Sequence, residues 1–381
     1  MSFDFPNGET IVNVFVPVFV GLAMFFAMTV ESSLAQVDRL TVDKDHIVGV
    51  IEAHITNLEG WQSGDYLIRI QEEALGRHYQ SFIEDGIENW RVVEGADAAS
   101  ISISGSRLYR VMFDIERERV FVAGRGYDEQ QLFDGLDSEI GMPKKTQFDS
   151  VFLLDRPNGI GASRLRAAQI HKMNAERLPS VRQILAQASV PDIRVLGCHT
   201  HWGGVWADDE KRLPDIFNLV RDWDSIEEIT HVGENRYKVF SRHDLRPDDR
   251  RFGARYYLDW DVAQQVPVAF SIYSGYRPED FKNSVKEKAQ WSGNTAWKII
   301  NGVSVPVSTR AVAGNIKRID GRVFDIPHEI TVDIHWFSVN EELPKELFQE
   351  DILHDRKKVD ELLDETVFAD HAPNSGNDEG R

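Results

Sequence analysis

Along the chain the apolar residues recur with two spacings, and each stretch of one spacing predicts one kind of element. Ile11 to Val30 (IVNVFVPVFVGLAMFFAMTV) has no period: it is apolar apart from Asn13, Thr29 and the small residues. Asp43 to Leu58 sets Ile47, Val50, Ile51, His54 and Ile55 at helical spacing, which predicts a helix capped by Asp43 or Asp45. From Tyr66 to Ile70 the period drops to two. The same alternation runs through Ile101 and Ile103, is interrupted at Gly105 and Ser106, and resumes over Tyr109, Val111, Phe113 and Ile115. Glu116-Arg117-Glu118 makes a polar turn before Val120 and Val122, so this region predicts a hairpin with one apolar face. Phe82 to Val93 follows neither period.

Helical spacing returns from Arg164 to Ala188, broken near Pro179, and in two shorter stretches, Leu213 to Val220 and Glu279 to Gln290. Alternation marks strands at Tyr237–Val239, Tyr256–Trp260, Val266–Phe270, Trp297–Val307 and Ile330–Trp336. Glu341 to Phe368 is charged and helical in spacing, and the tail HAPNSGNDEGR predicts disorder. In the final strand Val332, Ile334 and Trp336 alternate with Thr331, Asp333 and His335, so the first three should share a buried face. Leu343, Leu347 and Phe348 then follow at helical spacing, as a cap on one end of the sheet.

Successive strands joined by short polar turns imply an antiparallel meander rather than parallel units with helical crossovers. One apolar face per strand needs cover on one side only. The expected fold class is therefore α+β: a strongly curved antiparallel sheet, a half-barrel, wrapped around a few helices, with a helical insertion around residues 160–220. The expected organisation is a leader over 1–35, a single domain over 36–368 and a disordered tail over 369–381.

Composition sharpens this picture mainly by exclusion. The chain has 381 residues, ample for a core, and nine tryptophans argue against general disorder. A net charge of −19 repels nucleic acid and anionic membrane surfaces. The single cysteine leaves no disulfide framework within the chain and no C-x-x-C zinc pair. The N-terminal apolar run is followed by Ser33-Leu34-Ala35, with small residues three before and one before a cut ahead of Gln36. That is the form of a signal peptide cleaved between Ala35 and Gln36, and it predicts an exported protein, periplasmic or extracellular. The preceding segment carries Asp4 and Glu9 and no Lys or Arg, and the run is long enough to span a bilayer. An uncleaved anchor is the alternative, and it is the only route by which this chain would meet a membrane.

The strand layout of the second half resembles the lipoprotein-carrier (LolA-like) superfamily, especially its larger exported bacterial members. RYYLDWDVAQQVPVAFSIYS (255–274) is similar to that superfamily's strand ending in Asp, a turn, and a strand opening with Val-Pro-Val. WKIINGVSVPVSTRAV (297–312) resembles its Asn-Gly-Val strand with a following proline. ITVDIHWFSVNEELPKELF (330–348) resembles its closing strand, and RLYRVMFDIERERVFV (107–122) its early hairpin. The resemblance implies a half-barrel whose concave apolar face takes an acyl chain, a lipid or a lipidated protein, without catalysis and without a cofactor. The rows that would line such a groove, and would equally serve as core, are Val111, Phe113, Trp260, Trp297, Val332, Ile334 and Trp336. A periplasmic sensor or scaffold domain that binds protein, its groove filled by its own helices, is the alternative.

The one stretch suggesting chemistry is GCHTHWGG, residues 197–204. His199 and His201, two apart on a strand, would face one way and share a metal, the minor alternative being a metal-dependent hydrolase. No Asp-His follows to complete such a site, and Cys198 lacks an orienting base on its own face if the strand is extended. The plainer reading is a strand running into a Gly203-Gly204 turn, with no metal. Asp208-Asp209-Glu210 and Asp222-Trp223-Asp224 lack the spacing of a calcium loop and read as solvated acidic turns. Gly124-Arg125-Gly126 is no phosphate loop, because no helix start with Lys and Ser or Thr follows.

Overall fold

The computed structural model describes residues 43–84, 87–94, 97–134, 138–139, 144–165, 170–199, 216–244, 253–274, 291–319 and 322–371. Two compact units divide the chain, 1–49 and Val50–Arg381. Described residues 43–49 of the first are helical, and the second carries the fold. It takes in residues 50–59 of the helix over 43–59 (α1) and, among the described residues, fifteen strands.

The first strands are β1 (Ser63–Glu84), β2 (Ile87–Val92), β3 (Ala99–Asp114), β4 (Arg119–Asp134) and β5 (Ser138–Glu139). Next come β6 (Lys144–Asp155), β7 (Ile160–Leu165) and β8 (Ile170–Lys172). After an irregular stretch the chain makes β9 (Ile226–Gly233), β10 (Arg236–Asp244), β11 (Gly253–Asp261) and β12 (Val266–Ser274). It closes with β13 (Trp291–Ile300), β14 (Val303–Ile319) and β15 (Arg322–Val339).

Among the described residues all pairings between these strands are antiparallel, in the order β8-β7-β6-β4-β3-β1-β15-β14-β13-β12-β11-β10-β9, with β2 on β1 and β5 on β4. Two meanders are thus joined where the last strand pairs with the first, with Ile68 opposite Ile334 and Ile70 opposite Val332. The ends of this order, β8 and β9, do not pair with each other among the described residues, so the sheet is open there. Tight turns gather at one end, here the near end. Asn301-Gly302 is the clearest, with φ of 51° and 78°, the left-handed pair of a type I′ turn. At the far end β1, β4, β10, β12 and β14 all run out into segments outside the described residues.

The sheet is strongly curved. One chamber touches both Thr146 on β6 and Trp291 on β13, six places apart in the strand order. On a flat sheet six steps of about 4.8 Å would separate them by about 29 Å. The inner face carries Tyr66, Ile68, Ile70, Val111, Phe113, Val332 and Ile334, all buried. Near-end cover comes from α1, whose Asn57 exchanges two hydrogen bonds with the Ser304 backbone, and from Trp61, which packs edge-on to Trp336 at 5.6 Å. A short helix α2 (Val181–Gln187) lies against β4 and β6.

Several expectations are corrected here. The first half of the sheet is buried on both faces, not one. The outer face (Leu67, Leu108, Met112, Phe121, Val151, Leu153) is covered by the C-terminal segment through Leu343, Leu347, Phe348, Ile352, Leu353, Leu363 and Phe368. That is why β6 reads Val151-Phe152-Leu153-Leu154 without alternation. Leu343, Leu347 and Phe348 therefore coat a face and do not cap an end. The segment itself is one α-helix, α4 (Arg356–Leu362), among 3-10 turns, Lys345–Phe348, Glu350–Leu353 and Glu365–His371, the last reaching into the start of the expected tail.

A helical insertion over 160–220 is not evident. Ile160–Leu165 and Ile170–Lys172 are strands, because the edge of β6 offers a ladder that outweighs local helical spacing. Pro179 marks the start of α2 and not a kink: Ser180 and Gln183 form a reciprocal capping box directly after it. Of the expected second helix, Ile216–Val220 (α3) is helical. The helix expected at Glu279–Gln290, most of the tail (372–381), Ile11–Val30 and the Ala35–Gln36 junction lie outside the described residues. No helix among the described residues is long and apolar enough to cross a membrane.

Candidate functional site

The inner face changes character midway along the strands. Near the tight turns it is mostly apolar and largely filled, apart from a cavity of about 260 Å³ lined by Trp61, Phe113, Ile115, Arg182 and Arg194. Val111, Phe113, Trp260, Val332 and Ile334 are all buried. Trp297 and Trp336 are half-buried, and each donates its indole N–H to a proline carbonyl, Pro267 at 2.7 Å and Pro306 at 2.8 Å. Trp260 and Trp297 lie edge-on to the imidazole of His54 at 5.7 and 5.2 Å. The seven residues singled out by the strand pattern thus sit in or against the core at the near end.

Further along, the face opens into a chamber of about 630 Å³ that none of those seven lines. On one wall are Glu72 (β1), Ile103, Gly105 and Arg107 (β3), Asp128 and Gln130 (β4), with Lys144 and Thr146 (β6) at the rim. On the other are Trp291, Ala313, Gly314 and His328, from β13, β14 and β15. The register explains the charged wall. Gly105 stands directly between Glu72 and Asp128 on its two neighbouring strands. A β-carbon there would lie 2.9 Å from the Asp128 carboxylate, so a larger residue would push that side chain from its present position. Arg107, two residues along on the same face, donates to Glu72 at 3.2 Å and to Asp128 at 2.9 Å. The facing Glu72 and Asp128 carboxylates outweigh burial and hold the Arg107 guanidinium above its ordinary value. The Tyr109 hydroxyl, close to the same group, is pushed up to about 12, first by burial.

Gly124 and Gly126 follow on β4, on the same face as Asp128 and nearer the tight turns. The Tyr109 ring lies over Gly124 and the Phe148 ring over Gly126, where added β-carbons would come within 2.7 and 2.6 Å of ring carbons. The two rings stack at 5.8 Å. Gly124-Arg125-Gly126 is therefore a packing device, with Arg125 on the opposite face donating to the Leu363 carbonyl. The sequence signal for this wall was present as the Gly105-Ser106 interruption in an alternating strand, which marks close approach of other groups.

The described part of GCHTHWGG, Gly197 to His199, contributes packing. Ile193–Val195 is a 3-10 turn and not a strand, and the chain turns at Gly197-Cys198, where Gly197 has φ of 90° against the Pro267 carbonyl. Gly203-Gly204 lies outside the described residues. Cys198 is fully buried and burial pushes its thiol up, away from the thiolate a nucleophile needs. His199 packs its ring against Trp291 at 5.4 Å and Phe270 at 6.3 Å. His201 lies outside the described residues, and among the described residues no three His, Cys, Asp or Glu side chains gather as metal ligands.

No family model matches the sequence, and no curated protein matches it. Solved structures overlap it loosely. A DUF1329 family protein from Desulfovibrio piger is 9% identical, covering 82% of this chain and 98% of that chain at a TM-score of 0.26. The COG4313 outer membrane channel from Pseudomonas putida F1 is 8% identical, covering 71% and 96% at 0.22. A β-barrel-like protein of the domain family DUF1849 from Brucella abortus is 9% identical, covering 71% and 98% at 0.16. At these scores a likeness carries no argument, and the reading of the site rests on its own geometry.

Proposed function

We propose that this chain is an exported, non-catalytic binding protein that holds an amphiphile, whether an acyl chain, a lipid or the lipid group of a lipidated protein, in the chamber of its curved sheet. Export is supported by the apolar run ending in Ser33-Leu34-Ala35. The observation that carries the binding reading is the contrast along one face. At the near end the chain's own helix and tryptophans take most of the space, while about 630 Å³ remains where Ile103, Ala313 and Trp291 lie among the charged groups Glu72, Arg107, Asp128 and Lys144. That volume falls within the range of small-molecule sites, about 300–1,000 Å³. An apolar side with a few placed charges suits a ligand with a tail and a head.

The test is native mass spectrometry of the purified protein, with uptake of a fluorescent fatty acid and of a neutral alkyl glycoside. Retained or acquired ligand, lost when Ile103→Trp fills the chamber, is the expected result. A folded protein that takes up neither overturns the reading. The filled near end favours a second reading, a scaffold that recognises protein. It predicts no uptake together with specific capture of a protein partner.

A further inference from the structure

The C-terminal segment coats the outer face of the first meander, and among the described residues the apolar cluster it forms includes nothing from β9 to β14. On its own outer face the second meander carries a trough of about 500 Å³. Two neighbouring rows, each crossing the six strands β10 to β15, build it. In one row Lys238, Asp259, Ala269, Asn294, Arg310 and Thr331 stand opposite one another from strand to strand. In the next, Phe240, Tyr257, Ser271, Ser292, Val312 and Glu329 do the same. Thr331 alternates with the inward Val332, which sets both rows on the outer side. Five steps of about 4.8 Å make each row about 24 Å long. Ala269, Ser271 and Ser292 form a low floor between larger side chains on either flank.

The polar groups of this trough are uncommitted. Asp259, Ser271, Ser292, Asn294, Glu329 and Thr331 line it with no side-chain hydrogen bond or ion pair among the described residues. Arg310 is fixed in place by Asp333 at 2.7 Å and by the Val332 carbonyl at 3.2 Å. Phe240, Tyr257 and Tyr273 pack ring to ring at 4.7 and 5.6 Å and stiffen one flank. Burial raises the Asp259 carboxyl above its ordinary value, against the pull of Lys238 and Arg236.

We propose that this trough binds a neutral, linear oligosaccharide laid across the strands, at a site separate from the chamber and independent of the amphiphile reading. A sugar hydroxyl donates and accepts at once, and hydroxyl, amide, carboxylate and guanidinium groups side by side answer both roles. Charges of both signs, Lys238 and Arg310 with Asp259 and Glu329, suit a neutral chain better than an ion of either sign. A peptide joins a sheet at an unpaired edge, and β11 to β14 are paired on both sides here. Ala269 and Val312, apolar and two strands apart, give an alkyl chain no continuous track.

The probes are cellohexaose, maltohexaose and chitohexaose, with anionic hexagalacturonate as comparator, each titrated calorimetrically into the intact protein. At least one neutral hexasaccharide should bind saturably and more tightly than hexagalacturonate. Asp259→Ala should weaken it about tenfold and Asn294→Ala, on an exposed side chain, about fivefold. Ser292→Trp, which fills the floor, should abolish it in protein whose near-UV spectrum matches wild type. Binding of none of the three neutral probes to folded protein overturns the assignment. So does binding that survives both Ser292→Trp and Asn294→Ala, or hexagalacturonate binding as tight as the best neutral probe.

Discussion

His54 is enclosed by the rings of Phe217, Trp260 and Trp297, and neither of its nitrogens makes an ordinary hydrogen bond. Burial pushes its imidazole down to about 3, opposed weakly by the Gln265 backbone, so the folded protein keeps the ring neutral. In the unfolded chain the same ring takes up a proton near its ordinary value of about 6.5. Between these values the unfolded state binds more protons, so stability falls as pH drops through 6.5 toward 3. The slope is at most about 1.4 kcal/mol per pH unit. Comparing wild type with His54→Phe by chemical denaturation between about pH 4 and pH 6 isolates this contribution from the carboxylates. The variant should show the flatter dependence, and parallel curves would mean that His54 is protonated within the fold. The position of His54 was legible in sequence, since it lies on the apolar stripe of α1. The Glu72–Arg107–Asp128 group was not: Arg107 is 35 positions from Glu72 and 21 from Asp128, and no local period joins them.

Single elements show how a sheet changes its pattern when a second layer is laid on it. The C-terminal segment has little helix of its own and is held by what lies beneath. The Leu353 carbonyl accepts from the buried Arg164 at 2.6 Å, and the Phe368 ring lies 4.5 Å below the Arg69 guanidinium. Phe348 is 1% exposed within that contact. Phe348→Ala should therefore cost about 3–5 kcal/mol in urea unfolding. Asp333→Ala, which removes ion pairs to Arg69 at 2.9 Å and Arg310 at 2.7 Å on a half-exposed surface, should cost about 1 kcal/mol. If the two variants unfold alike, the segment is a loose cover and not part of the core. The hairpin around 115–118 was readable because a polar turn punctuates an alternating run, whereas the stretch 297–307, read as one strand, is two that turn at Asn301-Gly302. The strands at 160–172 were not, because their hydrogen-bond partner, the edge of β6, appears nowhere in their own spacing.

For the whole molecule, the export expectation gives a direct test. If Ser33-Leu34-Ala35 is a cleavage site, the protein recovered from cells begins at Gln36, which intact-mass analysis reads at once. Recovery of Met1 in the membrane fraction would instead show an anchor. By itself the sequence determined the antiparallel class, most of the strands, the helix over 43–59 and the predominance of β structure. Those follow from contacts made within a few residues, where alternation and turn chemistry act. Only the tertiary structure decided that the last strand joins the first, that the outer face is coated, and that the near end is filled. It also decided that a chamber lies beside Glu72, Arg107 and Asp128. Each of these depends on which distant strands become neighbours, and a curved sheet settles that by burying its faces as a whole.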